Sequence, residues 1–129
     1  MDFADLIGIA GYCDKIAEPT DSASRYGSGL VDVFSTPALV AFVEKTCLLS
    51  VNEKLPDGYS TVGVRIELTH EKATPIGKIV FCSSTVCNVE GKKIRFEVVA
   101  RDEKGIIGQG YHDRYIIEVK SFMAKMQQP

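Results

Sequence analysis

The chain has 129 residues, with 15 Lys and Arg, 17 Asp and Glu and two His, which gives a formal charge of −2. This length predicts one domain with one core over residues 1–129. The 45% hydrophobic and 25% charged fractions are typical of a globular chain rather than a disordered one. The slightly acidic balance argues against a nucleic-acid partner, because such proteins depend on a strongly basic face.

Cysteine use and the N-terminal segment bear on location. No two cysteines form a C-x-x-C pair, so no metal site is predicted; the four are Cys13, Cys47, Cys82 and Cys87. The N-terminal segment carries Asp2 and Asp5 and lacks the basic start of a signal peptide. No apolar run reaches the roughly 18–20 residues of a membrane span. We therefore expect a cytoplasmic protein with reduced thiols and no membrane partner.

The first half of the chain predicts one dominant helix. A strand is possible near residues 12–17, and residues 18–29 suit a short helix capped by Thr20 or Asp21, followed by a Gly-rich loop that is either a connection or a lid. Thr36 then supplies a capping hydroxyl, and Pro37 stands at the first position of a helix of about 17 residues. Because this helix is apolar on most sides, we expect it to be buried.

The second half of the chain predicts four consecutive antiparallel strands. The first has Val62, Val64, Ile66 and Leu68 alternating with polar residues, and these four should face the core. Further strands are expected over residues 77–89, over the alternation that starts at Ile94, and over residues 106–119, where Gly108 and Gly110 mark a bulge or a close approach. Residues 120–128 end the chain as a short helix or a frayed end. The order predicts an α+β fold in which a sheet wraps one helix, and its open edges favour pairing with a second copy.

Two titratable residues fall at apolar positions. Glu44 has apolar neighbours three, four and seven positions away, so its carboxylate reaches the surface, pairs with an Arg for structural reasons, or is held in a pocket. His70 continues the phase of the strand that contains Val62, which turns its ring toward the helix and the side where Glu44 is expected. A lone inward His is commonly a core residue, whereas a carboxylate and an imidazole together favour a functional site.

Further candidates lie at the helix start and on the last strand. Thr36 offers a hydroxyl where free N–H groups and the positive dipole end favour anions and developing oxyanions, although most such residues are only caps. Thr36 and Glu44 stand two turns apart, about 12 Å of axial rise, so one substrate can contact both. His112 and Arg114 share a strand face. Either Arg114 neutralises Glu44 or binds a phosphate or carboxylate, or the face is simply solvated.

Several of these segments together resemble a known family. Residues 33–40 read Val-Phe-Ser-Thr-Pro-Ala-Leu-Val, with Glu44 eight residues after Thr36. Residues 62–70 and 73–77 form a second match, and Gly110, His112 and Arg114 with residues 120–125 form a third. In order and spacing, these segments resemble the fluoroacetyl-CoA-thioesterase-like family of hotdog-fold proteins over nearly the whole chain.

The resemblance implies a hotdog fold, dimerisation by sheet pairing, and hydrolysis of acyl-CoA thioesters without a metal or cofactor. By position, the family's catalytic Thr, Glu and His fall on Thr36, Glu44 and His70. The Gly whose backbone N–H faces the substrate carbonyl falls on Gly63, and the Arg of the last strand falls on Arg114. We expect a homodimer, with a dimer of dimers as a further option.

The resemblance departs from the family before the long helix. The segment between Arg25 and Leu30 reads Tyr-Gly-Ser-Gly, without the Phe-bearing lid associated with fluoroacetyl selection. A short or medium acyl-CoA is therefore the expected substrate, with the acyl group left open. Two rivals remain, namely a hotdog hydratase or dehydratase and a non-catalytic acyl-CoA-binding protein.

Overall fold

A five-stranded antiparallel sheet packs one face against a long helix. The structure is a computed structural model that describes residues 2–128. The strands are β1 (Ala10–Ile16), β2 (Tyr59–His70), β3 (Ile79–Glu90), β4 (Lys93–Asp102) and β5 (Gly105–Glu118), in the order β1-β3-β4-β5-β2. The helices are α1 (Ala23–Tyr26), α2 (Thr36–Asn52) and α3 (Val119–Met126). The predicted α+β arrangement is confirmed, including the long helix, the four consecutive strands and the final short helix.

The core lies between α2 and the sheet. The α2 side chains that are buried against it are apolar at helical spacing, and they include Leu39, Phe42, Val43, Cys47 and Val51. The sheet contributes alternate residues of its inner strands, including Val80, Cys82, Val86, Ile94, Phe96, Val98 and Ile116. This alternation is typical of strands that bury one face. No helix within residues 2–128 is long and apolar enough to cross a membrane.

The exposed side of α2 differs from the prediction of a helix buried on most sides. Ala41, Lys45 and Leu49 form an exposed stripe, and Leu49 is 53% exposed. Beside it, Val40 and Glu44 are half-buried and face β2. Ala41 and Leu49 are apolar, whereas Lys45 is charged. The helix is therefore buried against the sheet on one side and exposed on the other.

The helix starts explain another difference. Ser35, not Thr36, caps α2, because the Ser35 hydroxyl accepts the Ala38 N–H at 3.2 Å. Likewise, α1 is capped by Ser22 rather than by Thr20 or Asp21. Adjacent hydroxyl residues satisfy the same capping pattern in sequence. With Ser35 as the cap, the Thr36 hydroxyl is free for another partner.

A β-bulge divides β2 into two phases. Gly63 pairs with Arg114, whereas Arg65 pairs with Asp113, so Val64 is an extra residue on the β2 side of the ladder. Thr61 is buried before the bulge, and Val64 is 55% exposed. The prediction that Val62 and Val64 face the core is therefore wrong, because the alternation restarts after the bulge and only its later residues keep the predicted phase.

The glycines of β5 allow close approach to β2, as predicted. A Cβ at Gly108 would overlap the Thr69 carbonyl oxygen, and a Cβ at Gly110 would overlap the Glu67 carbonyl oxygen. Only a residue without a side chain fits this spacing. The two glycines therefore fix how closely the second half of β2 lies against β5.

The corrected cap makes a stability prediction. We expect Ser35→Ala to lower the free energy of unfolding by about 1 kcal/mol, because it leaves the Ala38 N–H without its acceptor. Thr36→Ala removes no cap and should cost clearly less. Urea unfolding of both variants measures the difference, and equal losses would contradict the assignment of Ser35 as the cap.

Candidate active site

The first part of the site is a hydroxyl and an imidazole. Thr36, the first residue of α2, has its Oγ1 2.8 Å from Nδ1 of His70, the last residue of β2. Both line a cavity of about 300 Å³ together with the start of α2, the segment before it and the residues that follow β2. A nucleophile and a base within hydrogen-bond distance are the elementary pair of acyl transfer.

His70 is suited to accept a proton. Burial lowers the pKa of its imidazole below the ordinary value, because desolvation disfavours the charged form. The ring is therefore neutral at neutral pH, and Nδ1 in its unprotonated form accepts the Thr36 hydroxyl proton. Its Nε2 is buried and has no hydrogen-bond partner within the described residues.

The second part of the site is a carboxylate beside a buried cation. Glu44 Oε2 lies 3.6 Å from Arg114 Nη1 and 4.0 Å from His112 Nε2. The Glu44 side chain is 43% exposed, whereas the Arg114 side chain is only 7% exposed. Glu44 therefore pairs with an Arg and also lines an open cavity. Two of the three alternatives from the sequence, an Arg partner and a place in a pocket, hold together.

Arg114 is fixed by hydrogen bonds to β2. Its Nε donates to Thr61 Oγ1 at 2.7 Å, and its Nη2 donates to the Thr61 carbonyl at 2.9 Å. Burial lowers the guanidinium pKa, and the Glu44 carboxylate opposes that shift. The guanidinium is thus held in one orientation with Nη1 toward Glu44.

Gly63 leaves room in this cluster. A Cβ at this position would lie 2.5 Å from Glu44 Oε2 and 3.2 Å from His112 Cε1. The carboxylate therefore occupies space that any side chain at Gly63 would fill. This cavity has a volume of about 240 Å³, and its lining includes Val40, Ile66 and His112.

No catalytic or binding role is predicted for His112 from the sequence. His112 and Arg114 are 2% and 6% exposed, so the alternative of a solvated strand face is excluded. Two sequence features could have indicated an inward His112, namely its shared phase with Gly110 and Arg114 on β5 and the scarcity of histidine. Periodicity alone does not say which face of an antiparallel strand is inward.

The five predicted site residues fall into two groups within one chain. The structure joins Thr36 to His70, and it joins Glu44 to Gly63 and Arg114. Although His70 lies on the helix side as expected, its partner is Thr36, and the imidazole beside Glu44 is that of His112. Thr36 and Glu44 are separated by about 12 Å along the helix axis. Within residues 2–128 no three His, Cys, Asp or Glu side chains are grouped to hold a metal ion.

A curved antiparallel sheet around one long helix is the hotdog fold of solved thioesterases. A family model described as fluoroacetyl-CoA-specific thioesterase matches residues 17–120, and the chain belongs to this family. The family resemblance found in the sequence is therefore confirmed.

Individual relatives agree with this assignment. The fluoroacetyl-CoA thioesterase of Streptantibioticus cattleyicolor is 34% identical over 97 residues, which cover 75% of this chain and 70% of the relative. The solved structure of the fluoroacetyl-CoA thioesterase FlK has a TM-score of 0.88 at 28% identity and covers 95% of this chain and 97% of that one. A hot-dog-like protein from Thermanaerovibrio acidaminovorans has a TM-score of 0.89 at 25% identity, over 98% and 95% of the two chains. The predicted hotdog fold is thereby confirmed.

The lowered pKa of His70 predicts a pH profile. We expect kcat/KM for thioester hydrolysis to be constant above about pH 6.5, where the imidazole is neutral, and to fall at lower pH as His70 takes up a proton. His70→Gln should remove this acidic limb along with most of the activity. Initial rates between pH 4.5 and 8 measure the profile, and a limb centred above pH 7 would contradict a buried, neutral base.

Proposed function

We propose that the chain hydrolyses acyl-CoA thioesters of short or medium chain length. The observation that carries this proposal is the 2.8 Å contact between Thr36 Oγ1 and His70 Nδ1 at the start of α2, in a chain of a thioesterase family. Free N–H groups at a helix N-terminus stabilise the negative charge that develops on an attacked carbonyl.

The reaction needs a nucleophilic oxygen, an oxyanion stabiliser and a thiolate leaving group. His70 takes the proton either from Thr36, whose Oγ1 then attacks the carbonyl carbon, or from a water that Thr36 holds in place. In both courses a C–O bond forms, the C–S bond breaks, and the thiolate of CoA leaves and takes up the proton that His70 accepted. In the first course a water then cleaves the Thr36 ester, which releases the acid and restores the hydroxyl. An acyl-enzyme that hydroxylamine traps distinguishes the first course from the second.

Glu44, Gly63 and Arg114 supply the other side of the substrate. The carboxylate of Glu44 is a base or nucleophile for the same carbonyl, and the Arg114 guanidinium lies 3.6 Å from it. Gly63 offers a backbone N–H to the substrate carbonyl, and because it has no side chain the Glu44 carboxylate can lie directly beside it. These roles explain why the site retains an exposed carboxylate next to a buried arginine.

A second copy of the chain joins the two groups. A thioester carbonyl reacts only with groups about 3–3.5 Å away. Thr36 and Glu44 of one chain stand about 12 Å apart along the axis of α2, so one carbonyl cannot react with both of them. Within residues 2–128, β2 lies at the edge of the sheet with β5 as its one neighbouring strand, and Val64 and Ile66 on β2 are exposed. Two β2 strands paired antiparallel place the His70 end of one beside the Gly63 half of the other. We infer a homodimer in which His70 and Thr36 of one chain face the partner's Glu44.

The names of two relatives favour a short acyl group. A relative is named for fluoroacetyl-CoA, and a variant of FlK has been solved in complex with acetyl-CoA. Both acyl groups contain two carbon atoms. The cavity beside Glu44, with a volume of about 240 Å³, has room for an acyl group of that size.

Thiol release from a panel of acetyl-, fluoroacetyl-, butyryl-, octanoyl- and palmitoyl-CoA tests the activity. We expect release with the shorter members and a decrease of roughly 10²–10³-fold in kcat/KM in Thr36→Ala, His70→Ala or Glu44→Gln. Glu53→Gln, an exposed carboxylate at the end of the same helix, is the matched control and should keep wild-type activity. Binding without release would identify an acyl-CoA-binding protein, and addition or loss of water across a double bond would identify a hydratase or dehydratase.

The shared site predicts complementation between two inactive variants. When Thr36→Ala and Glu44→Gln chains are co-expressed, a mixed dimer contains one site with both native groups, because each chain lends its intact residue to the same site. We expect random mixing to restore about a quarter of the wild-type activity. Recovery below the sum of the two single variants would show that each site lies within one chain.

A further inference from the structure

His112 is the buried centre of the second group. Its ring is 2% exposed and stacks on Phe96 of β4, with centroids 6.3 Å apart. Its Nδ1 lies 2.7 Å from the Arg65 carbonyl oxygen on β2, and its Nε2 lies 3.2 Å from Arg114 Nη1. One side chain thus contacts a neighbouring strand and both charged members of the cluster, since Nε2 is also 4.0 Å from Glu44.

These partners fix the protonation state of the ring. A carbonyl oxygen only accepts hydrogen bonds, so His112 Nδ1 carries a proton. A guanidinium only donates, so Nε2 offers its lone pair to Arg114. The imidazole is therefore neutral and in the Nδ1–H tautomer. Burial lowers its pKa, and the Arg114 charge acts in the same direction.

The Arg65 carbonyl stands next to the β2 bulge. Because Val64 is the extra residue, the peptide that follows it has lost the regular ladder geometry. The Nδ1–H of His112 binds that peptide from β5 and so holds the backbone that precedes it, which includes Gly63. The same ring aligns Arg114 Nη1, which lies 3.6 Å from Glu44.

We propose that His112 is a positioning residue, a neutral imidazole that holds the β2 bulge and the Arg114 guanidinium so that Gly63 and Glu44 keep their places beside the substrate. This inference rests on the proposed thioesterase function. His112 touches no reacting atom in this assignment, and its effect passes through Gly63 and Arg114. Loss of the His112 imidazole should therefore lower kcat far more than it raises KM, since a misplacement of about 1 Å costs on the order of 100-fold in rate.

Charged groups on two elements act on the protonation of the His112 ring. Glu44 of α2 and Asp113 of β5 favour protonation, as does the hydrogen bond to the Arg65 carbonyl, whereas burial and Arg114 oppose it. Phe96 of β4 carries no charge. A proton on Nε2 would remove the acceptor of Arg114, so the cluster as built requires the neutral ring.

The tautomer is measurable in the wild-type protein. The chain has only two histidines, so ¹⁵N NMR of the ring nitrogens is assigned with a single variant, His70→Gln. We expect a protonated Nδ1 and an unprotonated Nε2 for His112 between pH 6 and 8. An imidazolium, or a ring with its proton on Nε2, would overturn the proposal whether or not the protein hydrolyses thioesters.

Two variants separate the two hydrogen bonds. His112→Asn places an amide near the position of Nδ1 and keeps a donor for Arg65, whereas His112→Gln places one near Nε2 and keeps an acceptor for Arg114. We expect each to lower kcat about 10-fold and His112→Phe, which keeps the ring shape and loses both bonds, about 100-fold or more, with KM within threefold. Dimers of each variant are confirmed by gel filtration before the assay.

A packing control isolates positioning from stability. Val80→Ala trims a buried side chain on β3, a strand that carries none of the cluster residues, and should lower the melting temperature while kcat stays unchanged. A folded His112→Phe variant with kcat within twofold of wild type would overturn the proposal. If that variant does not fold, the Asn and Gln variants decide in the same way. Absence of thioesterase activity in the wild type would refute the proposed function instead.

Discussion

The bulge at Val64 is the constraint on which both parts of the site depend. Gly63 and His70 are seven residues apart, and in a regular strand an odd separation places two residues on opposite faces. The extra residue restores both to the helix side, so that Gly63 lies beside Glu44 while His70 reaches Thr36. Without it, one half of the proposed site would face away from α2.

Much of the fold could be predicted from the sequence because its local signals are strong. The apolar run after Pro37, the alternation from Ile94 and the turn at Glu90 and Gly91 each have one reasonable structural reading, and the elements lie where these patterns place them. The cap of α2 was not predictable in the same way. Ser35 and Thr36 offer the same hydroxyl, and which one binds Ala38 depends on where the preceding chain enters the helix.

The sequence indicates the residue types of the proposed site but not their arrangement. The sequence shows that Glu44 is a carboxylate among apolar neighbours, but its contact with Arg114 depends on the register between β2 and β5. The bulge leaves no pattern of its own, because Val62 and Val64 continue the alternation of Ile66 and Leu68. The register between distant strands is set by packing of the whole sheet. The contacts of His112 with Arg65 and Glu44 depend on that register, so the sequence does not predict them.

The segment before α2 is a loop whose base is closed by backbone contacts. Antiparallel bridging of Ser22 with Phe34 and the hydrogen bond from Ser35 N to the Asp21 carbonyl close its base, while Leu30 at its tip is 98% exposed. Part of this segment lines the cavity of Thr36 and His70. Since the closed base carries the helix start, a change in the residues between its two ends reshapes one wall of the cavity and leaves the Thr36 hydroxyl in place.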